Sequence, residues 1–180
     1  MNKKAIIVVI CTAILTTAIL VSGYFIIYNK RTTMDKSHVF VSDSTTRDSE
    51  FDEWILDEVN WVPTFLIIKN KKEIGYIRGT INEPDFTSEL GTIAINPNQD
   101  RPLPNLSITN IEGKTMNLND IFYDDEIYIL ELHWVDCPDC IEQDEKFTEQ
   151  IYARYSTSHI YRYYMNSDKQ KVIDKYTKGE

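Results

Sequence analysis

The chain has 180 residues, of which 42% are hydrophobic and 26% are charged, and its formal net charge is −9. These proportions are typical of a folded protein, and the length allows about one small globular domain beside an anchor and a linker. The negative net charge argues against a nucleic-acid partner, because such partners require cationic side chains to neutralise the phosphate backbone.

Near the amino terminus, residues 5–28 form an apolar stretch of 24 residues without a charge. About 20 apolar residues cross the hydrocarbon core of a bilayer, so we predict that residues 1–28 are an uncleaved transmembrane anchor. A signal peptide has a shorter apolar core, of about 7–15 residues, although residues 21–23 could be a weak cleavage site. Basic residues flank both ends of the stretch, so charge bias alone does not fix its orientation.

After the anchor, residues 29–50 are polar and lack an apolar period, which predicts a flexible linker. A globular domain is then predicted over residues 51–180. A segment with three prolines, residues 96–104, divides this domain into two halves and is the clearest connector in the chain. The halves are residues 51–95 and residues 105–178.

The first half begins with apolar residues at helical spacing over residues 51–59. Residues 64–69 and 73–78 are predicted strands that form a hairpin around the turn at 70–72. Pro84 suits the first turn of a helix, so a helix is expected near residues 84–90.

The second half is predicted to start with a hairpin over residues 106–118, followed by a short helix near residues 119–122. Residues 127–134 form the most hydrophobic segment of the domain and are predicted to be a central strand. A helix over residues 138–155, a strand at 159–165 and a last helix at 168–176 follow. The alternation of strand and helix indicates a parallel pair of strands joined by a crossover helix.

Cys137 and Cys140 are the only cysteines after the apolar stretch, and two residues separate them. They follow the predicted central strand and open the next predicted helix. The free N–H groups and the positive dipole end of that helix favour a thiolate at its first cysteine, and the thiolate is the reactive form of the side chain. This context predicts a redox-active pair.

A metal site is the alternative interpretation of the same residues. His133, Cys137 and Cys140 could supply three ligands, with His159 or a carboxylate as the fourth. A zinc ribbon requires a second close pair of ligands, however, and the sequence contains none. We therefore predict no metal, and no cofactor beyond the cysteine pair itself.

Three segments together resemble the thioredoxin superfamily, in particular its membrane-anchored TlpA-like branch. Residues 103–121, beginning LPNL, resemble the opening hairpin of that branch, and residues 127–155 resemble the strand, active-site loop and helix of a thioredoxin. Residues 61–79, beginning WVPTFLIIKN, resemble the cis-proline loop and edge hairpin of the superfamily. The resemblance implies an α/β fold, a thioredoxin-like sheet with flanking helices.

The order of these segments differs from that of the superfamily, in which the cysteine motif precedes the proline loop. Here Pro63 precedes Cys137, and neither half contains a complete set of elements. A circular permutation, with residues 96–104 joining the original ends, is the most economical explanation. A remnant of a first domain followed by a truncated second one, or two chains that swap halves, are the alternatives.

The resemblance implies that Cys137 attacks the substrate disulfide and that Cys140 resolves the mixed disulfide. Glu131 stands where thioredoxins keep a buried acid that carries protons for the resolving cysteine, and burial is expected to raise its pKa. Asp136 and Asp139 flank the nucleophile with negative charge, which argues against a strongly oxidising pair.

The resemblance also assigns substrate binding to Val62, Pro63 and Trp134. A cis Pro63 would present the Val62 backbone to an extended peptide, which could then form strand-like hydrogen bonds. His133 occupies the position where the superfamily usually has an aromatic residue, and we expect it to be packed in the core.

Together these features predict a thiol–disulfide oxidoreductase anchored in the cell membrane by a single span, with its catalytic domain outside the cytoplasm. Its expected partners are protein dithiols or disulfides and a redox partner protein that resets the cysteine pair. The alternative is a thioredoxin-like module that binds a metal or a peptide without redox turnover.

Overall fold

The computed structural model describes residues 34–42, 49–57, 60–155, 159–165 and 167–177. The described residues belong to one unit that begins at Met34. The predicted anchor, residues 1–28, lies outside the described residues. Among the described residues, no helix is long and apolar enough to cross a membrane.

Strands are the central elements of the fold. In chain order they are β1 (Val39–Val41), β2 (Thr64–Lys69), β3 (Lys72–Arg78), β4 (Arg101–Pro102), β5 (Ser107–Thr109), β6 (Thr115–Asn117), β7 (Tyr128–His133) and β8 (Ile160–Tyr164). Six of them form one mixed sheet in the order β1-β8-β7-β2-β3-β4, and β5 and β6 form a separate hairpin.

Helices flank this sheet. They are α1 (Ser49–Leu56), α2 (Glu83–Ile95), α3 (Leu118–Ile121), α4 (Pro138–Gln143), α5 (Glu149–Arg154) and α6 (Lys169–Thr177). A π-helical segment, Asp144–Thr148, connects α4 to α5 and interrupts the continuous helix that was predicted over residues 138–155. The predicted helix at residues 84–90 is longer than expected, because α2 continues to Ile95.

The strand before the cysteines, β7, lies in the interior of the sheet and is buried along its whole length. It runs parallel to β8, which confirms the predicted parallel pair. On its other side it pairs antiparallel with β2, with Thr64 opposite Leu132 and Ile68 opposite Tyr128. The hairpin of the first half therefore lies beside the central strand of the second half, within one chain.

Alternating side chains of these strands build a core on each face of the sheet. Leu66 and Leu130 belong to one core, which also contains residues of α1 and α3. Phe65 and Ile129 belong to the other, which contains residues of α2 and α5. The fold is thus a mixed α/β fold with a six-stranded sheet and helices on both faces, which confirms the predicted α/β class.

The prediction of a flexible linker over residues 29–50 is wrong for residues 39–41. These form β1, which pairs parallel with β8 as an edge strand, and Val39 and Phe40 are fully buried. A run of three apolar residues is too short to produce a recognisable period, so the surrounding polar composition determined the prediction. Within the predicted connector, residues 96–104, the short strand β4 pairs with the start of β3.

Candidate active site

Cys137 occupies the N-cap position of α4. Its Sγ accepts a hydrogen bond from the Cys140 backbone N–H at 3.2 Å, and Pro138 follows in the first turn, where a missing N–H costs the helix nothing. Cys137 is half-buried, and both cysteines are free thiols. The local sequence therefore places a reachable sulfur at the helix terminus that best accommodates negative charge.

Cys140 lies one turn further into the helix and is only 1% exposed. Burial, followed by a hydrogen bond with the Cys137 side chain, raises the pKa of the Cys140 thiol well above its ordinary value. At neutral pH the buried sulfur thus stays protonated, while the outer sulfur is accessible. Cys137 can therefore contact a substrate, whereas Cys140 can react only inside the protein.

The loop that precedes β2 reaches the cysteines from the other half of the chain. The backbone carbonyl of Val62 accepts a weak hydrogen bond from Cys137 Sγ at 3.8 Å, across 75 positions of sequence. The Val62–Pro63 peptide bond is cis, and the Thr64 hydroxyl donates to the Trp61 carbonyl at 2.7 Å. Pairing of β2 with β7 brings these two sequence motifs together.

A surface groove of about 560 Å³ runs past Cys137 between the two motifs. Two tryptophans line it and remain accessible, Trp61 at 58% and Trp134 at 47%. The remaining lining residues are Asn60, Val62, Val135, Asp136, Cys137, Pro138, Asp139, Ser167 and Asp168. Of the predicted substrate-binding residues, Val62 and Trp134 line the groove, whereas Pro63 is buried and does not.

Glu131 is fully buried, as predicted, but the expected direction of its pKa shift is wrong. Its Oε2 accepts hydrogen bonds from Arg162 at 2.6 and 3.0 Å and from the Tyr152 hydroxyl at 2.9 Å, and its Oε1 lies 2.8 Å from His133 Nε2. Burial alone raises the pKa of the Glu131 carboxyl, but the Arg162 guanidinium and the His133 contact outweigh burial and hold it below its ordinary value. The raised pKa that would suit a proton carrier is therefore missing.

His133 is packed in the core, as predicted, and burial lowers its pKa even though Glu131 opposes that shift. A neutral imidazole can donate from Nε2 to the Glu131 carboxylate, and the buried Nδ1 atom has no hydrogen-bond partner among the described residues.

The structure separates the cysteines from the residues that could form a metal site. Among the described residues, the one group with ligand atoms close enough to hold an ion is Glu131, His133 and Asp144, and neither cysteine belongs to it. The Arg162 guanidinium lies 2.6 Å from Glu131 and 2.8 Å from Asp144, and Lys175 forms a second ion pair with Asp144, so two cations of the protein itself compensate the two carboxylates. The alternative site at His133, Cys137 and Cys140 is not formed.

Sequence reasoning missed Trp61, Arg162 and Ser167. Trp61 stands directly before Val62-Pro63, and its position in that motif could have identified it as a groove residue. Ser167 accepts a hydrogen bond from the Val135 N–H at 3.2 Å and donates to the Met165 carbonyl at 2.9 Å, which fixes the segment before Cys137. Arg162 carries no local signal, because an arginine in a strand usually faces solvent.

Comparisons of this chain with protein families, with curated proteins and with solved structures found no match. The chemistry of the site therefore rests on its own geometry: an accessible sulfur, a buried second sulfur in the same helical turn, and a groove beside them.

Proposed function

We propose that this chain is a thiol–disulfide oxidoreductase that exchanges disulfides with protein substrates through Cys137 and Cys140. One observation carries the proposal: the accessible Cys137 sulfur caps α4 at 3.2 Å from the N–H of the buried Cys140, and it faces the Val62 carbonyl at 3.8 Å. A nucleophile and a main-chain acceptor thus meet at one groove, and the second thiol lies buried in the same helical turn as the nucleophile. The proposal of a thiol–disulfide oxidoreductase rests on this arrangement of the cysteines and not on a known relative.

The proposed fold is thioredoxin-like and circularly permuted. The parallel pair β7–β8, the antiparallel neighbour β2 and the hairpin β2–β3 together supply the sheet that such a domain needs, although β2 and β3 precede the cysteines in sequence. Because one chain provides both halves, neither a swapped partner nor a second domain copy is needed to complete the sheet.

The proposed reaction is a pair of exchanges. In the first, the Cys137 thiolate attacks one sulfur of a substrate disulfide, so that a mixed disulfide forms and the other substrate sulfur leaves as a thiolate. In the second, Cys140 gives its proton to the departing substrate sulfur and attacks Cys137 Sγ, which releases the remaining substrate sulfur as a thiol and leaves a Cys137–Cys140 disulfide. The substrate gains two electrons, and a dithiol partner protein returns two electrons to the pair; the reverse sequence oxidises a substrate dithiol.

The substrate of this reaction is proposed to be an extended polypeptide. A bound segment beside Val62 would meet the backbone of the loop that precedes β2 and two accessible tryptophans, which supply apolar contact area at little cost in conformational entropy. The same features favour a second candidate function, a module that grips peptides without redox turnover.

The proposed location is a cell membrane, with residues 1–28 as a single span and the domain outside the cytoplasm. The apolar stretch in the sequence supports this proposal, and the cysteine pair Cys137 and Cys140 suits a compartment in which disulfides persist.

Replacing the resolving cysteine tests the function. Cys140→Ser, mixed with a disulfide-containing protein and quenched with acid and an alkylating reagent, should accumulate a mixed disulfide through Cys137, which mass spectrometry identifies. The control Cys137→Ser should give no mixed disulfide through Cys140, because that thiol is buried. A peptide-gripping module would bind substrate equally well in both variants and would form no covalent adduct in either, and that result would overturn the oxidoreductase.

A further inference from the structure

The groove beside Cys137 combines apolar walls with negative charge. Three of its lining residues are aspartates, Asp136, Asp139 and Asp168, and all three are exposed. In the described part of the chain, no lysine, arginine or histidine lines it. A polypeptide that enters the groove therefore places the residues beside its cysteine among carboxylates.

The three carboxylates differ in what already engages them. Asp136 forms an ion pair with Lys171 at 2.7 Å, and Asp168 accepts hydrogen bonds from the backbone N–H groups of Gln170 and Lys171 at the start of α6. For Asp139, no side-chain hydrogen bond or ion pair occurs with any described residue. Asp139 is also the lining carboxylate in the first turn of α4, two positions after the nucleophile.

The negative charge of these aspartates should affect the rate of disulfide exchange. A negatively charged segment would be repelled from the aspartates as it approaches, whereas a positively charged one would be attracted, and such steering changes association rates by one to several orders of magnitude at low salt. Cationic substrate residues would also offset the unfavourable interaction between the aspartates and the Cys137 thiolate. Trp61 and Trp134 add a preference for an apolar or aromatic residue between the charges.

We propose that the groove selects polypeptide segments in which lysine or arginine flanks the exchanging cysteine and an apolar residue lies next to it. This inference rests on the proposed function and specifies its substrate class. Selection acts on the first exchange, because that step brings the flanking residues to Asp139 and Asp168, and it is weakened by salt.

Peptides with one internal disulfide test the proposal. Three peptides would share an aromatic residue next to the cysteine and differ only in the flanking residue, which is Lys, Gln or Glu. In a single turnover, the reduced form of the protein reduces the peptide: two electrons and the Cys140 proton pass from the cysteine pair to the two peptide sulfurs, and the other peptide sulfur takes its proton from water. The readout is the second-order rate constant, at about 20 mM and about 500 mM salt, because the Debye length falls from about 20 Å to about 4 Å over this range.

The Lys peptide should react about tenfold faster than the Glu peptide at low salt, with the Gln peptide between them, and the ratio should approach one at high salt. The double variant Asp139→Asn/Asp168→Asn should reduce the low-salt ratio to about threefold or less. Asparagine caps helices about as well as aspartate, so the start of α6 is retained. Asp139→Asn alone should reduce the ratio partly, and it removes no hydrogen-bonded carboxylate.

The matched control is Glu112→Gln/Glu126→Gln, which removes two exposed charges that do not line the groove, and it should leave the ratio unchanged. Equal rates for all three peptides in the native protein would overturn the charge selection while leaving the proposed exchange reaction intact. An equal loss of selectivity in the control variant would assign the effect to the net charge of the protein and would overturn selection by the groove. Failure to reduce any peptide would overturn both proposals.

Discussion

Replacement of Arg162 by methionine should lower the free energy of unfolding, because it leaves the buried Glu131 carboxylate without its cationic partner. Arg162 is 4% exposed and donates to Glu131 at 2.6 and 3.0 Å, to the Tyr152 hydroxyl at 2.9 Å and to the Tyr176 hydroxyl at 3.1 Å. Removing one partner of a buried ion pair leaves the other charge uncompensated, which costs about 3–5 kcal/mol. A domain of this size has a free energy of unfolding of about 5–15 kcal/mol, so the variant should fold but be much less stable.

The loss of stability in Arg162→Met should depend on pH, because the variant changes the pKa of Glu131. In the native protein the depressed pKa of Glu131 contributes stability above its ordinary pKa of about 4.3, and this is lost as the pH falls towards the folded value. Without Arg162, burial raises the pKa of Glu131, so the variant is stabilised at low pH and loses stability as the pH rises through that raised value. The deficit of Arg162→Met should therefore be larger at pH 8 than at pH 5.

Urea unfolding at both pH values measures the deficit. Adding Glu131→Gln to Arg162→Met should recover part of the loss at pH 8, because no buried charge then remains at residue 131. The matched control is Arg154→Met, in which the lost arginine is 57% exposed and pairs with Glu83 at 3.1 Å; it should cost less than about 1 kcal/mol. A loss of that small size for Arg162→Met at pH 8, or a loss that does not shrink at pH 5, would refute the reasoning.

Three further predictions concern the site and its location. Because the pKa of His133 is lowered, acidification below its ordinary pKa of about 6.5 should lower the free energy of unfolding, by up to about 1.4 kcal/mol per pH unit. His133→Gln should flatten this dependence of stability on pH between pH 7 and pH 5, and an unchanged dependence would contradict a buried neutral imidazole. Glu131→Gln should slow attack and resolution by the same factor in stopped-flow exchange, because Arg162 already holds the carboxylate ionised, whereas selective slowing of resolution would restore the proton-carrier role. On intact cells, a membrane-impermeant thiol reagent should label Cys137 after reduction, and labelling only after lysis would exclude an extracytoplasmic domain.

The cysteine loop and its surroundings were predictable because each depends on local signals. A long apolar run before Cys137 predicts a buried strand, and Pro138 at the start of the next segment predicts a helix there. The hairpin at residues 64–78 follows from two apolar runs around a short polar turn, and both turn residues, Asn70 and Lys71, adopt the left-handed conformation. The pairing of this hairpin with the central strand agrees with the sequence argument that neither half contains a complete set of elements.

The buried ionic network was not predictable from the same signals. Glu131 and Arg162 face each other because they are register partners on the parallel strands β7 and β8. Sequence patterns identify strands but do not fix the register between two of them, so no feature of either strand indicated that the glutamate would meet an arginine. The error in the pKa of Glu131 has this origin: burial was foreseen, and its partner was not.

The redox equilibrium of the cysteine pair tests the central claim most directly. The domain would be equilibrated in glutathione buffers of known potential, alkylated, and analysed by mass spectrometry for the Cys137–Cys140 disulfide. We predict a reversible intramolecular disulfide that titrates as a two-electron couple, with a tenfold change in the ratio of oxidised to reduced protein for every 30 mV or so. Cysteines that remain reduced across the whole range, or that form only glutathione adducts and disulfides between chains, would contradict a thiol–disulfide oxidoreductase.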